Sequence, residues 1–330
     1  MADNSSPVKL PFWVWAVILV TAALLVSRLI SPAQGSPELP APTLALAAET
    51  LPAPVLPPTP TRAPTATAAA PAPTEPSPTA SPTPEPTLAA PLTLEDWKSW
   101  PVLPRVSTTA VEIYQRGLAQ GNDPRAFAIL GDCQSLPETF MGIYDTDSEL
   151  TTRLPQALQE TVAYFSGSFS RRGATIKEGT TAAALLWFAW HEDKYGCLPN
   201  ETPLDCELRQ VKPSIVFINI GTHYETRNII YLRKVIDTLI AHGSLPILAT
   251  KADNRELDDR LNLEMAQLAL EYDLPLWNFY AAVSAMPENG VSLKAGEEHL
   301  GVIYLVPEAL ERHRFTALQA LDAVWRAVKK

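Results

Sequence analysis

The sequence predicts an α/β domain whose parallel sheet is covered by helices on both faces, set behind a membrane anchor and a stalk. Three observations carry this. In residues 94–330, short apolar runs alternate with longer segments of helical periodicity. The short runs are apolar throughout, as strands buried on both faces are. Ahead of them lie an apolar run of about twenty residues whose one charge is Arg28 near its end, enough to span a bilayer, and a proline-rich tract.

From the N-terminus, residues 1–10 are a short N-terminal segment. The next segment, "PFWVWAVILVTAALLVS", holds no charge before Arg28, and residues 11–30 are predicted to form a transmembrane helix. Trp13 and Trp15 sit at one end, as in an interfacial belt. The rival reading is a cleaved signal peptide, with a shorter apolar core and a small-x-small site, which "SPAQG" matches poorly. Lys9 and Arg28 flank the run and barely bias its orientation. The following tract is the stronger argument. Residues 31–93 hold more than half of the 32 prolines and almost no large side chains. Such a tract cannot bury enough apolar area to offset the entropy of folding, and it is predicted to be disordered. Extended, it reaches up to ~150–200 Å. As a stalk or as a passive linker it places the folded domain outside the membrane. The predicted localisation is therefore a single-pass cell-membrane protein with an extracytoplasmic domain.

The folded domain is predicted over residues 94–330, about 235 residues, a normal size for one α/β domain. "AFAILG" (126–131) reads as the first buried strand. "LPQALQETVAYF" reads as a helix leading to a second strand near residues 163–169, and "TAAALLWFAWHEDKY" as a helix with a wide apolar face. "SIVFINIG" (214–221), "LPILAT" (245–250) and "LPLWNF" (274–279) are the third, fourth and fifth strands. Between them, "IIYLRKVIDTLIAHG" is an amphipathic helix ended by Gly243, and "RELDDRLNLEMAQLALEYD" is another. "FTALQALDAVWRAVKK" closes the chain as a helix with a cationic last turn.

In such sheets the functional groups lie beyond the carboxyl ends of the strands. Here those positions are polar. Asp132, Cys133 and Gln134 follow the first strand, and Thr222, His223, Tyr224 and Glu225 the third. Lys251, Asp253 and Asn254 follow the fourth, and Asn278 and Tyr280 the fifth. Lys251 and Asp253 read either as a solvated ion pair or as a polar pocket for a sugar or acyl group. His191, His242 and His313 read as helix-surface or helix-end residues without a role. The net charge of −10 implies no nucleic-acid surface. No His-x-x-x-His spacing is present, so neither a metal nor another cofactor is expected. Of three cysteines, Cys197 and Cys206 bracket a short polar loop, and outside the cytoplasm they are expected to pair. Cys133 is left as the odd thiol. It is either a nucleophile at a strand end or a small buried hydrophobe. Asn200-Glu201-Thr202 fits a glycosylation acceptor.

From Gly131-Asp132-Cys133 onward, residues 95–330 resemble the SGNH hydrolases, the GDSL esterase/lipase family, in order and position. The resemblance implies a three-layer α/β/α fold on a five-stranded parallel, flavodoxin-like sheet. In that family the first strand ends in Gly-Asp-Ser and the serine is the nucleophile; here Cys133 takes its place. A later Gly-x-Asn-Asp supplies an oxyanion-binding asparagine; here Gly221-Thr222-His223-Tyr224 matches, with His223 in that position. Asp-x-x-His precedes the last helix; here His299 matches the histidine, and Gly296 stands where the aspartate would be. The oxyanion glycine corresponds to Gly173 or Gly179. The resemblance thus implies an acyl-ester hydrolase in which Cys133 attacks, His299 is the base and His223 helps hold the oxyanion. The alternative is a domain that keeps the fold without the reaction and binds a glycan or another surface ligand at the rim.

Protease added to intact cells or spheroplasts is expected to release a fragment that begins in the stalk. Immunoblotting that shows the chain fully protected would overturn the orientation.

Overall fold

The computed structural model of the chain describes residues 92–221, 228–292 and 304–330. Helix α1 (Thr108–Ala119) starts behind Ser107, whose hydroxyl accepts the Ala110 N–H at 3.0 Å, a side-chain cap that satisfies one helix donor. Strand β1 (Asp123–Gly131) follows, with its last five residues buried. Helix α2 (Gln156–Tyr164) comes next. Helix α3 (Pro203–Val211) opens on a proline behind the Thr202 cap. Then come β2 (Pro213–Asn219), α4 (Asn228–His242), β3 (Leu245–Ala249), α5 (Arg260–Glu271) and β4 (Leu276–Trp277). Two short antiparallel strands, β5 (Val291–Ser292) and β6 (Tyr304–Leu305), precede α6 (Pro307–Val328).

The main sheet runs β1-β2-β3-β4, all parallel. Strands β2 and β3 are buried along their whole length, which is why their sequences are continuously apolar. On the outer side of β1 a single parallel bridge joins Gly131 to Ile176. Gly131 N donates to Thr175 O at 3.0 Å, and Lys177 N donates to Gly131 O at 3.2 Å. The chain therefore steps outward from β1 in one direction and continues through β2 in the other. Parallel crossovers are right-handed, so this reversal sends the connections to opposite faces. In agreement, α6 packs with α1 and α2, whereas α4 packs with α5 and β3.

Two predicted elements are corrected. Residues 163–169 are not a strand, because α2 runs to Tyr164 and ends at Phe165. Their apolar character comes from Phe165 and Phe169, which fill the core edge-on against Phe127. The edge position is taken instead by the bridge at Ile176, so among the described residues the main sheet has four strands and not five. The stretch "TAAALLWFAWHEDKY" is not a helix. It forms three single turns, Ala184–Leu186, Phe188–Trp190 and Asp193–Tyr195. Trp187 and Phe188 are exposed, so the run has no continuous buried face to hold a helix together. Helix α1 is an addition to the predicted elements, and α6 begins upstream of the predicted start at Phe315.

Cys197 and Cys206 form a disulfide with Cα atoms 5.2 Å apart, and Cys133 is outside it. Among the described residues no helix is long and apolar enough to cross a membrane. The predicted span at residues 11–30 and the tract up to residue 91 lie outside the described residues.

Thiol labelling of the unfolded, unreduced protein is expected to mark Cys133 alone. Reduction should lower the unfolding free energy by about 2–3 kcal/mol, the loop-closure value for a short loop. Denaturant midpoints with and without reductant measure this, and labelling at all three cysteines would refute the bridge.

Candidate functional site

The site begins where β1 stops. A Cβ on Gly131 would meet Ser135 Cβ at 2.0 Å and Oγ at 2.2 Å, so only glycine lets the chain fold back here. The turn Cys133–Ser135 follows, capped by Asp132. Asp132 is buried, and its two carboxylate oxygens are divided between two strands. Oδ1 accepts the Gln134 N–H at 3.1 Å, and Oδ2 accepts the Gly221 N–H beyond β2 at 3.1 Å. Ser135 adds a second tie. Its Oγ donates to Asn219 O at 2.9 Å and accepts from Asn219 Nδ2 at 2.9 Å.

This fixed turn sets Cys133 on the wall of a cavity of about 360 Å³. Gln134, Leu136, Thr139, Glu178, Tyr304, Leu305, Leu310 and His313 complete the wall. The thiol is half-buried. It is neither sealed in the core nor fully in water, so the reading of Cys133 as an enclosed small hydrophobe does not fit.

The two candidate glycines separate by position. Ile176 runs parallel to Gly131, so the chain leaves it toward the same rim. Glu178 then lines the thiol cavity, and Gly179 follows with φ +79°, a conformation that favours glycine. Gly173 lies upstream of the bridge, against Glu207. A Cβ there would sit 2.3 Å from Glu207 Oε2, while Glu207 pairs with Arg171 at 2.5 Å and accepts Ala174 N–H at 3.1 Å. Gly173 makes room for this buried carboxylate and is not at the cavity.

His313 is the residue that the sequence reading missed. It was expected on a helix surface and is instead fully buried. Its ring is caged by Phe140, Phe279 and Trp277, with centroids 4.4, 4.5 and 5.2 Å away. Nε2 lies 3.5 Å from Asn219 Nδ2, and Nδ1 has no hydrogen-bond partner among the described residues. Burial, with Arg314 adding to it, pushes its pKa down to about 3. The ring is neutral near pH 7 and a weak base. A signal for its burial was present: Ala309, His313 and Ala317 repeat every four residues on the buried stripe of α6.

Lys251 and Asp253 are not a solvated pair. Lys251 is 7% exposed, and its Nζ donates to Asp253 Oδ1 at 2.8 Å and to Glu256 Oε2 at 2.6 Å. Burial pushes the Asp253 carboxyl up, against the pull of Lys251. Asn254 Oδ1 accepts the Asp259 N–H at 2.8 Å. These groups pin the loop between β3 and α5 and face inward. Asn278 is likewise spent on structure, donating to the carbonyls of Trp97 and Trp100. The close donor group Cys197, Glu201 and Cys206 has both sulfurs in the disulfide, which removes them as thiolate ligands. Thr222, His223, Glu225 and His299 lie outside the described residues. Ser292 and Tyr304, on either side of the segment containing His299, are paired, and Tyr304 lines the thiol cavity.

No family model matches the chain, and no curated protein matches it. Among solved structures the chain is similar to a "putative acylhydrolase" of Bacteroides fragilis, with 14% identity and a TM-score of 0.40 over 67% of this chain and 100% of that one. It is also similar to a GDSL-like lipase of Bacteroides thetaiotaomicron, with 15% identity and a TM-score of 0.36 over 65% of this chain and 98% of that one. The fold of this chain is read from its own strand order and strand-end turn.

The buried ring makes a pH prediction. The unfolded chain protonates His313 near pH 6.5, whereas the folded ring resists protonation down to about pH 3. The unfolded state therefore binds more protons in that window, and His313 makes stability fall as pH falls through it, by up to about 1.4 kcal/mol per pH unit. His313→Phe, which suits the aromatic cage, is expected to flatten the slope. Urea unfolding of both proteins between pH 4 and 7 checks this, and identical slopes would refute it.

Proposed function

We propose that the chain is an SGNH-type acyl-ester hydrolase, anchored in the cell membrane through residues 11–30, with its folded domain extracytoplasmic. The observation that carries the proposal is the position of Cys133. It opens a turn locked behind β1, at the carboxyl rim, on the wall of a cavity. The Cys197–Cys206 disulfide supports an oxidising compartment.

In this reading the Cys133 sulfur attacks the acyl carbon, the C–S bond forms, and the ester C–O bond breaks. His299 takes the thiol proton and gives it to the departing alcohol. Water then cleaves the thioester, with His299 as base, and returns the thiol. His299 is five residues from Tyr304, and five residues of chain span up to about 18 Å, so the cavity is within reach. His223 and rim N–H groups, that of Gly179 among them, stabilise the oxyanion. The depressed basicity of His313 leaves the base role to His299. Short acyl esters, acetyl esters among them, suit a cavity of about 360 Å³.

Two observations favour a second reading. The described histidine on the cavity wall is a weak base, and Asp132 is committed to backbone N–H groups. A non-catalytic domain that binds a glycan or another surface ligand would show the same features.

Hydrolysis of acetyl and short-chain esters by the wild type, Cys133→Ala and Cys133→Ser separates the two. The wild type is expected to turn over short esters, and Cys133→Ala to abolish turnover. Cys133→Ser should keep a residue of activity, about 10²-fold or more below wild type, because Gly296 offers no carboxylate to orient His299 for the harder deprotonation. Undiminished activity in Cys133→Ala, or a folded wild type inert on every ester, would refute the hydrolase.

A further inference from the structure

The geometry points to a saccharide-binding groove beside the thiol cavity. A second, larger cavity of about 1000 Å³ is lined by Gly179, Trp187, Trp190, Tyr231, Lys234 and Asp237, among others. Trp187 is 55% exposed and shares this one concave surface with Trp190 and Tyr231, and contiguous exposed apolar surface marks a contact site where a lone exposed ring would not.

The Trp190 ring is held in place. The Trp190 indole N–H donates to Thr180 Oγ1 at 3.2 Å, and Lys177 Nζ lies 4.4 Å from its ring centroid. A Cβ on Gly179 would come 3.8 Å from Trp190 Cη2, so the glycine keeps that end of the indole uncovered. Polar groups stand beside the rings. The Tyr272 hydroxyl donates to Asp237 Oδ1 at 2.9 Å and orients that carboxylate. Lys234 sits one turn before Asp237 on α4 and 5.8 Å from the Tyr231 ring centroid.

This combination fits a pyranose chain. Each sugar ring has an apolar C–H face that packs on an aromatic face, and a rim of hydroxyls that needs donors and acceptors. A purely apolar ligand would displace water from Asp237 and Lys234 without replacing its hydrogen bonds. Nucleic acid is disfavoured by the net charge of −10. A protein partner would more often meet a broad surface than a concave cavity of this volume.

The groove adjoins the thiol cavity. Glu178 lines the thiol cavity and Gly179 the groove, so consecutive residues form parts of both walls. A saccharide chain in the groove would bring an O-acyl substituent toward Cys133. This last step rests on the hydrolase reading; the binding itself does not.

The test is native affinity electrophoresis of the full chain in mild detergent. The gels contain acetylated xylan, deacetylated xylan or glycol chitin, and the proteins are the wild type, Cys133→Ala, Trp187→Ala and Trp187→Tyr. Retardation by at least one polymer is expected. Trp187→Ala should weaken it by about tenfold, the scale of losing an aromatic anchor, and Trp187→Tyr should keep most of it. Cys133→Ala should bind as the wild type does. Trp187 is exposed, so these variants leave the core intact. No retardation in any gel, or equal retardation of Trp187→Ala, would overturn the groove. A Trp187-dependent dimer in sedimentation without polymer binding would also overturn it. Polymer binding without ester turnover would sink the hydrolase and leave the groove standing. Cys133-dependent turnover of small esters without polymer binding would do the reverse.

Discussion

The Asp132 carboxylate is the constraint on which the rim depends. Its two oxygens accept N–H groups from Gln134 and Gly221, one beyond each of two neighbouring strands. Losing this side chain would leave two backbone donors unpaired in a buried setting. The register of β1 on β2 brings Gly131 opposite Asn219, and Ser135 then closes onto Asn219. Strand pairing, turn shape and the place of the thiol are thus one linked arrangement. The place of the thiol is set by the hydrogen bonds of the turn itself.

Around that turn the buried polar groups point inward. Lys251 is closed between two carboxylates, Asn278 ties β4 to the entry segment at Trp97 and Trp100, and His313 lies among aromatic rings. Polarity at the carboxyl rim therefore has two uses in this molecule. Part of it shapes the loops, and part, at Cys133, Gln134 and Glu178, borders the cavity.

The legibility of the sequence divides along physical lines. "SIVFINIG" and "LPILAT" were readable because a strand buried on both faces leaves a continuous apolar run, and both are strands in the structure. The change from "AFAIL" to "GDCQS" was readable as a strand end because glycine and aspartate break the pattern abruptly. Apolar runs held by tertiary packing alone were not. Phe165 and Phe169 look like strand residues and act as core plugs at and after a helix end. Trp187, Phe188 and Trp190 look like a buried helix face and form single turns at the surface. His313 was missed because the last helix was started at Phe315, which removed the turn carrying it. Lys251 was visible as a rim residue, but its closure by Glu256 depends on how the loop folds back. At the site, position was legible for Cys133 and Asp132, while the parts assigned to His223 and His299 rest on resemblance alone.

The bridge at Ile176 has a consequence for how the molecule meets its own copies. An exposed edge strand offers a row of N–H and C=O groups on which another chain can template. Beside β1 the chain is extended for one bridge only, and it leaves at once into the segment that carries Glu178 and Gly179. Upstream, Arg171 and the Ala174 N–H are held by Glu207 of α3, and the disulfide fastens α3 to the loop before it. This flank is therefore too short and too tied down to recruit a foreign strand.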